Sequence, residues 1–196
     1  RLDIWSKVKS IQAKCPHLEC VLTVVSEVKG YQSLEALMKL HRSDGLDFEP
    51  PAQRHQIAAY FHTGGTTAAP KLAQHTQGNQ VHAAWGAALM CAMDERDVII
   101  NGFPLFHVAG AFVYGLSALI AGATIVLPTI LGMRDQVFVR NYWKVVEQHK
   151  VTLLAGVPTV ISVLMNVPVE DSDISSVRCM LTGGSPLPAE LAAQFE

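Results

Sequence analysis

The sequence predicts an α/β fold in which alternating β/α units form a largely parallel sheet with helices on both faces. Two observations carry this. Short apolar or β-branched runs of strand length alternate with longer segments whose apolar residues recur at helical spacing. Glycine- and proline-bearing loops then follow the strands, and in parallel α/β sheets ligands sit beyond the carboxyl ends of strands.

The elements follow in order. Residues 21–25 are strand-like, and residues 34–41 place Leu34, Leu37, Met38 and Leu40 at helical spacing. Ser43-Asp44-Gly45 and Glu49-Pro50-Pro51 then break the chain. Residues 57–61 predict a strand feeding a glycine- and threonine-rich loop. The alanine-rich stretch 75–92 predicts a helix, with Val81, Trp85, Leu89 and Met90 as its buried face. A strand over 97–103, a helix over 107–121 and a strand over 123–127 come next. Residues 136–150 set Val139, Trp143 and Val146 on one face of an amphipathic helix. Strands over 151–155 and 177–181 flank a helix over 159–165, and Pro188 opens a last helix at a position where proline is tolerated.

Composition narrows the function classes. The 196 residues carry 15 Lys and Arg against 17 Asp and Glu, a net charge of −2, and 49% are hydrophobic. That is a globular chain without the basic face that nucleic-acid binding needs. The long uncharged run 98–133 is cut by Pro104, Gly110, Gly115, Gly122 and Pro128, so it predicts buried core and no transmembrane segment. Cys15, Cys20, Cys91 and Cys179 have no zinc-site spacing, and reduced thiols place the chain in the cytoplasm.

Chemistry concentrates in Tyr60-Phe61-His62-Thr63-Gly64-Gly65-Thr66-Thr67-Ala68-Ala69-Pro70-Lys71. Paired glycines let backbone approach a ligand, threonines add hydroxyl donors, and consecutive N–H groups can form one anion-binding concavity. Lys71 adds a full positive charge. A kinase-type P-loop is excluded by spacing, since Ala69 or Pro70 falls where its second glycine belongs and Leu72 follows the lysine. A flexible surface loop is the bland alternative.

This segment resembles the nucleotide-binding signature of the adenylate-forming superfamily of acyl- and aryl-CoA synthetases, adenylation domains and luciferases. Thr63, Gly64, Gly65, Thr66, Thr67, Pro70 and Lys71 match it, and Ala68 stands where that family usually has glycine. If position 68 is left-handed, alanine costs about 1 kcal/mol there. Phe103-Pro104-Leu105-Phe106-His107-Val108-Ala109-Gly110 resembles the family's acyl-pocket stretch, which implies that Phe106 and His107 bind the carboxylate substrate. Read alone, His107 is a helix-capping or core histidine. Val157-Pro158-Thr159 resembles a pocket-wall element, implying substrate contact by Val157 and Pro158, though proline supplies a rigid helix entry regardless. Leu181-Thr182-Gly183-Gly184-Ser185-Pro186-Leu187 resembles the element bordering adenine and acyl group, which carries Gly183, Gly184, Ser185 and Pro186 over as nucleotide-binding residues. His62 and His75 flank the loop but match no fixed position of the family pattern.

The resemblance implies an ATP-dependent, AMP-forming acyl-CoA synthetase acting on a fatty or aromatic carboxylic acid. Acyl-adenylate and pyrophosphate form first, and coenzyme A then takes the acyl group. Lys71 and Thr67 would be catalytic, Mg²⁺ is the expected metal partner, and its ligands and the oligomeric state stay unassigned. A carrier-protein thiol as acceptor, a non-catalytic nucleotide-binding module and a purely structural domain remain alternatives. The resemblance further implies that residues 1–56 are an N-terminal α/β segment and residues 57–196 the AMP-binding core of one large N-terminal domain. Tyr-Gly-x-Thr-Glu, Thr-Gly-Asp and a C-terminal domain with its lysine do not occur in the sequence, so these 196 residues alone are expected to be inactive.

Overall fold

The computed structural model describes residues 4–50, 53–63 and 71–195. The chain forms two compact units, Arg1–Pro51 and Ala52–Glu196. In the first, α1 (Trp5–Lys14) precedes the two-residue parallel strands β1 (Leu22–Thr23) and β2 (Gln32–Ser33) and the short α2 (Leu34–Met38). Trp5 packs on Tyr31, whose hydroxyl donates to Gln12 Oε1 at 2.9 Å. Ser33 caps α2 by accepting the Ala36 N–H. The expected strand over 21–25 contracts to β1, because the turn that follows places Val25 at positive φ and gives its N–H to Glu35.

The second unit opens with an antiparallel hairpin, β3 (Ile57–His62) and β4 (Leu72–Thr76). This corrects the sequence reading twice. The β-then-α alternation is interrupted here, and residues 75–76 are strand, because β4 pairs along β3. Helix α3 therefore starts at Gln77 and runs to Met90, behind a capping box in which Thr76 Oγ1 accepts the Asn79 N–H and Asn79 Oδ1 accepts the Thr76 N–H. Its predicted face is also reversed. Ala84 and Ala88 are buried, whereas Val81, Trp85, Leu89 and Met90 are exposed.

The body is a four-stranded parallel sheet of β5 (Val98–Ile100), β6 (Thr124–Val126), β7 (Leu153–Gly156) and β8 (Cys179–Thr182), in the order β6-β5-β7-β8. From β5 the chain crosses to β6 on one side, then passes back over β5 to β7 on the other. That reversal between β5 and β7 is the kind of switch point where α/β sheets open a crevice. Side-chain alternation builds a core on each face. Ile99, Leu153 and Ala155 pack with Tyr114, Ala118 and Ala123. Ile100 and Leu154 pack with Phe138, Tyr142, Trp143, Val146, Val151 and Leu164.

The connections hold further departures. Residues 109–121 divide into a π-helical segment, Ala109–Leu116, and α4 (Ser117–Ala121). Two buried glycines, Gly110 and Gly115, lie in the π-helical segment, and π-helical turns often mark functional sites. The single amphipathic helix expected over 136–150 is two, α5 (Gln136–Arg140) and α6 (Tyr142–His149), hinged at Asn141, whose side-chain amide bonds back to Val137 O. Phe138 and Tyr142 are buried alongside Trp143 and Val146, while Val139 is only half-buried. Helix α7 (Pro158–Leu164) carries its proline in the first turn, and α8 (Ala189–Phe195) follows Pro188.

At the amino end of the sheet, Asp97 is 4% exposed. Its carboxylate takes two bonds from Arg178, at 2.8 and 2.7 Å, one from the Thr152 hydroxyl at 2.6 Å and one from the Asp94 N–H. Arg178 also donates to Ala92 O, tying the end of α3 to the strands. Among the described residues no helix is long and apolar enough to cross a membrane, and all four cysteines are free.

Candidate functional site

The loop singled out in the sequence connects β3 to β4. Gly64, Gly65, Thr66, Thr67, Ala68, Ala69 and Pro70 lie outside the described residues, so the loop is described only at its two ends. There the Thr63 N–H donates to Lys71 O at 2.8 Å, and the Thr63 hydroxyl donates to the same carbonyl at 3.3 Å. The hairpin ladder thus runs one step beyond the strands and brings the two loop ends together. Lys71 is exposed and makes no ion pair among the described residues, which leaves its ammonium available to an anion.

A second loop leaves the carboxyl end of β5. Residue Asn101 was not singled out by sequence reasoning, yet it organises this turn. Buried at 2% exposure, it donates its side-chain amide to Gly110 O at 2.8 Å and accepts the Phe103 N–H at its Oδ1. A polar residue closing an apolar strand just before Gly-Phe-Pro was the available signal. Gly110 is required by close approach, since a Cβ there would lie 3.0 Å from Phe103 O and 2.9 Å from the Pro104 carbonyl carbon. Phe106 projects from the turn, 72% exposed. His107 is exposed and caps the following helix, its Nδ1 accepting the Ala109 N–H at 3.1 Å and its carbonyl accepting the Ala111 N–H.

Beside this turn lies a groove of about 560 Å³ between the β5 and β6 ends, lined by Phe103, Leu105, Phe106, Leu127, Ile130 and Leu131 among others. Its walls are mostly apolar. The β6-side residues were not part of the sequence expectation, because nothing in a Leu-Pro-Thr-Ile-Leu run shows what it will face.

The third group gathers at the ends of β7 and β8. Val157 is extended (φ −78°, ψ 162°) ahead of the buried Pro158, the first residue of α7. Gly184 has φ +81°, a left-handed conformation that favours glycine, and a Cβ built on it would touch Val157 Cγ1 at 3.6 Å. Gly183 has open space where a side chain would stand, and Ser185 and Pro186 are exposed. The fold therefore joins Thr63 to Lys71, Phe106 to the groove, and Val157 to Gly184. Each group sits just past the carboxyl end of a strand.

A four-stranded parallel sheet with a chain reversal, carrying glycine-bearing turns past the carboxyl ends of its strands, defines an α/β protein of the class that binds ligands at those ends. More narrowly, the chain belongs to the AMP-binding enzyme family, whose profile matches residues 3–196. It is 37% identical over 198 residues to a marinolic acid–CoA ligase of Pseudoalteromonas sp. (strain SANK 73390), covering 98% of this chain and 30% of that protein. It is 34% identical to a 2-succinylbenzoate–CoA ligase of Bacillus pumilus (strain SAFR-032), covering 80% of this chain and 30% of that one. Among solved structures, the Bacillus subtilis O-succinylbenzoate coenzyme A synthetase in complex with AMP superposes with a TM-score of 0.69 at 29% identity, over 88% of this chain and 35% of that one. An anthranilate CoA ligase in complex with anthranoyl-AMP shares the fold, with a TM-score of 0.81 at 20% identity over 98% of this chain and 37% of that one. The chain thus spans about 30% of the length of the curated relatives it matches.

Proposed function

We propose that this chain supplies the nucleotide- and carboxylate-binding loops of an AMP-forming acyl-CoA synthetase. In the reaction a carboxylate oxygen attacks the α-phosphorus of ATP, pyrophosphate leaves, and the thiol of coenzyme A then displaces AMP from the acyl-adenylate. Both units belong to one large N-terminal domain in this reading, and the reaction is cytoplasmic.

The observation that carries it is the exposed Lys71 ammonium at the mouth of the Thr63–Lys71 loop, free of any ion pair among the described residues. Charge develops on the β and γ phosphates as pyrophosphate departs, and a fixed cation with backbone donors stabilises it. Thr63, Gly64, Gly65, Thr66 and Thr67 line that cradle, Gly183 to Pro186 border the adenine, and Phe106, His107, Val157 and Pro158 face the acid. The apolar groove beside Phe106 suits an acid with an apolar body. Coenzyme A is preferred to a carrier-protein thiol because both curated relatives described above are named as CoA ligases. Mg²⁺ enters as the counter-ion of the nucleotide. Among the described residues no group of three or more His, Cys, Asp or Glu side chains is placed to hold a metal.

Pyrophosphate release from the longest natural chain carrying this sequence, measured across a panel of carboxylic acids, tests the reading. Lys71→Met should lower kcat/KM for ATP by roughly 10- to 100-fold, the worth of a charge-assisted hydrogen bond. Equal activity with and without Lys71, or ATP-independent thioester formation, would sink it. The 196-residue span alone is expected to form no acyl-adenylate.

A further inference from the structure

The β3–β4 hairpin has one outward and one inward face. Tyr60, His62, Leu72 and Gln74 are exposed, and Ala59, Phe61, Ala73 and His75 are half-buried between them. Register sets Ala59 opposite His75 and Phe61 opposite Ala73, so Phe61 and His75 are diagonal neighbours on the inward face. Their ring centroids lie 5.1 Å apart. Both meet Phe112 of the π-helical segment, Phe61 edge-on at 5.2 Å and His75 stacked at 5.5 Å with 23° between the planes. The alanines across from each ring leave that contact to the three aromatics.

This cluster matters because, among the described residues, the hairpin is a sheet of its own and takes no ladder bonds from the four-stranded sheet. Its placement over the body rests on side-chain packing, on the covalent run into α3 and on the bonds from the Gln77 and Gly78 N–H groups to Gln56 O and Arg54 O at its base. Phe112, by contrast, belongs to the helix capped by His107 and pinned through Gly110 by Asn101. The three rings therefore join the element carrying the phosphate loop to the element carrying the carboxylate-side turn.

We propose that Phe61, His75 and Phe112 are positioning residues that lock the loop-bearing hairpin to the His107-capped helix, holding the phosphate and carboxylate sides of the site at one separation. The proposal rests on the assignment of residues 63–71 to the nucleotide phosphates. A two-substrate attack needs that fixed separation, since displacement by an ångström is costly to rate.

Hydrogen exchange on the 196-residue chain reads the lock without requiring turnover. Phe112→Ala and His75→Ala should each speed exchange of the Thr63 N–H and the β3–β4 ladder amides about tenfold, as aromatic pairs are lost. The Thr152 N–H, bonded to Val98 O in the main sheet, should be unaffected. His75→Phe, which retains a stacking ring, should restore protection at Thr63. Unchanged hairpin exchange in both alanine variants, failure of His75→Phe to restore it, or equal acceleration at Thr152 overturns the proposal. Should Phe112→Ala fail to fold, the half-buried His75 pair decides. In the longest natural chain the alanine variants should lower kcat more than they raise KM for ATP or for the acid, and a raised KM with kcat unchanged overturns the lock. If the unsubstituted protein makes no adenylate, the ligase reading fails while the exchange result still stands.

Discussion

Asp97 shows how a single buried charge is afforded in this fold. The Arg178 guanidinium beside it, together with the Thr152 hydroxyl and the Asp94 N–H, holds its carboxyl well below the usual carboxylate range despite its burial. Because the folded state lowers this pKa, the stabilisation is complete above the unfolded carboxylate value of about 4 and is lost as pH falls from there toward the folded value. Arg178→Met leaves that carboxylate buried without its cation, and should destabilise the chain by about 3 kcal/mol at neutral pH. The same variant should flatten the fall in stability below about pH 4 that urea midpoints record in the parent chain. A steep acid transition unchanged in the variant would place the linkage on another carboxylate. The individual residues Asp97, Thr152 and Arg178 gave no sign of this in the sequence, where 81 positions separate the ion pair.

Elements were legible wherever local pattern and tertiary pairing agree. Strands β5 and β6 and helix α4 arise within the segments that β-branched runs and helical spacing predict, β7 and β8 end one residue beyond theirs, and α7 starts one residue before its own. The failures share a cause, which is pairing or packing at a distance. Strand β4 exists because β3 lies alongside it, although its residues Ala73, Gln74 and His75 have no marked strand preference. The π-helical segment depends on Gly110, where backbone passes too close for a side chain. Gly110→Ala should therefore cost about 1–3 kcal/mol by overpacking. It should also disturb near-UV signals from Tyr114 and Phe103, which stack at 4.7 Å across this turn. A thermal midpoint within error of the parent would show that the backbone yields.

At the scale of the whole molecule, the reversed face of α3 is the largest departure from expectation. Helical spacing of Val81, Trp85 and Leu89 suggested burial, but the body accepts the alanine stripe, since Ala84 and Ala88 allow close approach to the neighbouring helices. Val81 at 55%, Trp85 at 51% and Leu89 at 59% exposure are left as an apolar stripe on the surface of the 196-residue chain. Such a patch favours dye binding and association. Trp85→Glu with Leu89→Glu should lower the binding of an apolar fluorescent dye and the fraction of oligomer seen by sedimentation, with the folded signal retained. Equal dye binding in the variant would locate the patch elsewhere.

By itself the sequence determined the α/β class, the segments of the parallel sheet and the family, because these follow from short-range spacing, turn residues and a signature written in adjacent positions. Only the tertiary structure decided which face of α3 is buried, that β3 and β4 form a hairpin of their own, that Asn101 pins the turn after β5 and that three rings pack the hairpin on the π-helical segment. Each of those is a contact between residues distant in the chain, and its energy depends on shape and burial that no local pattern encodes.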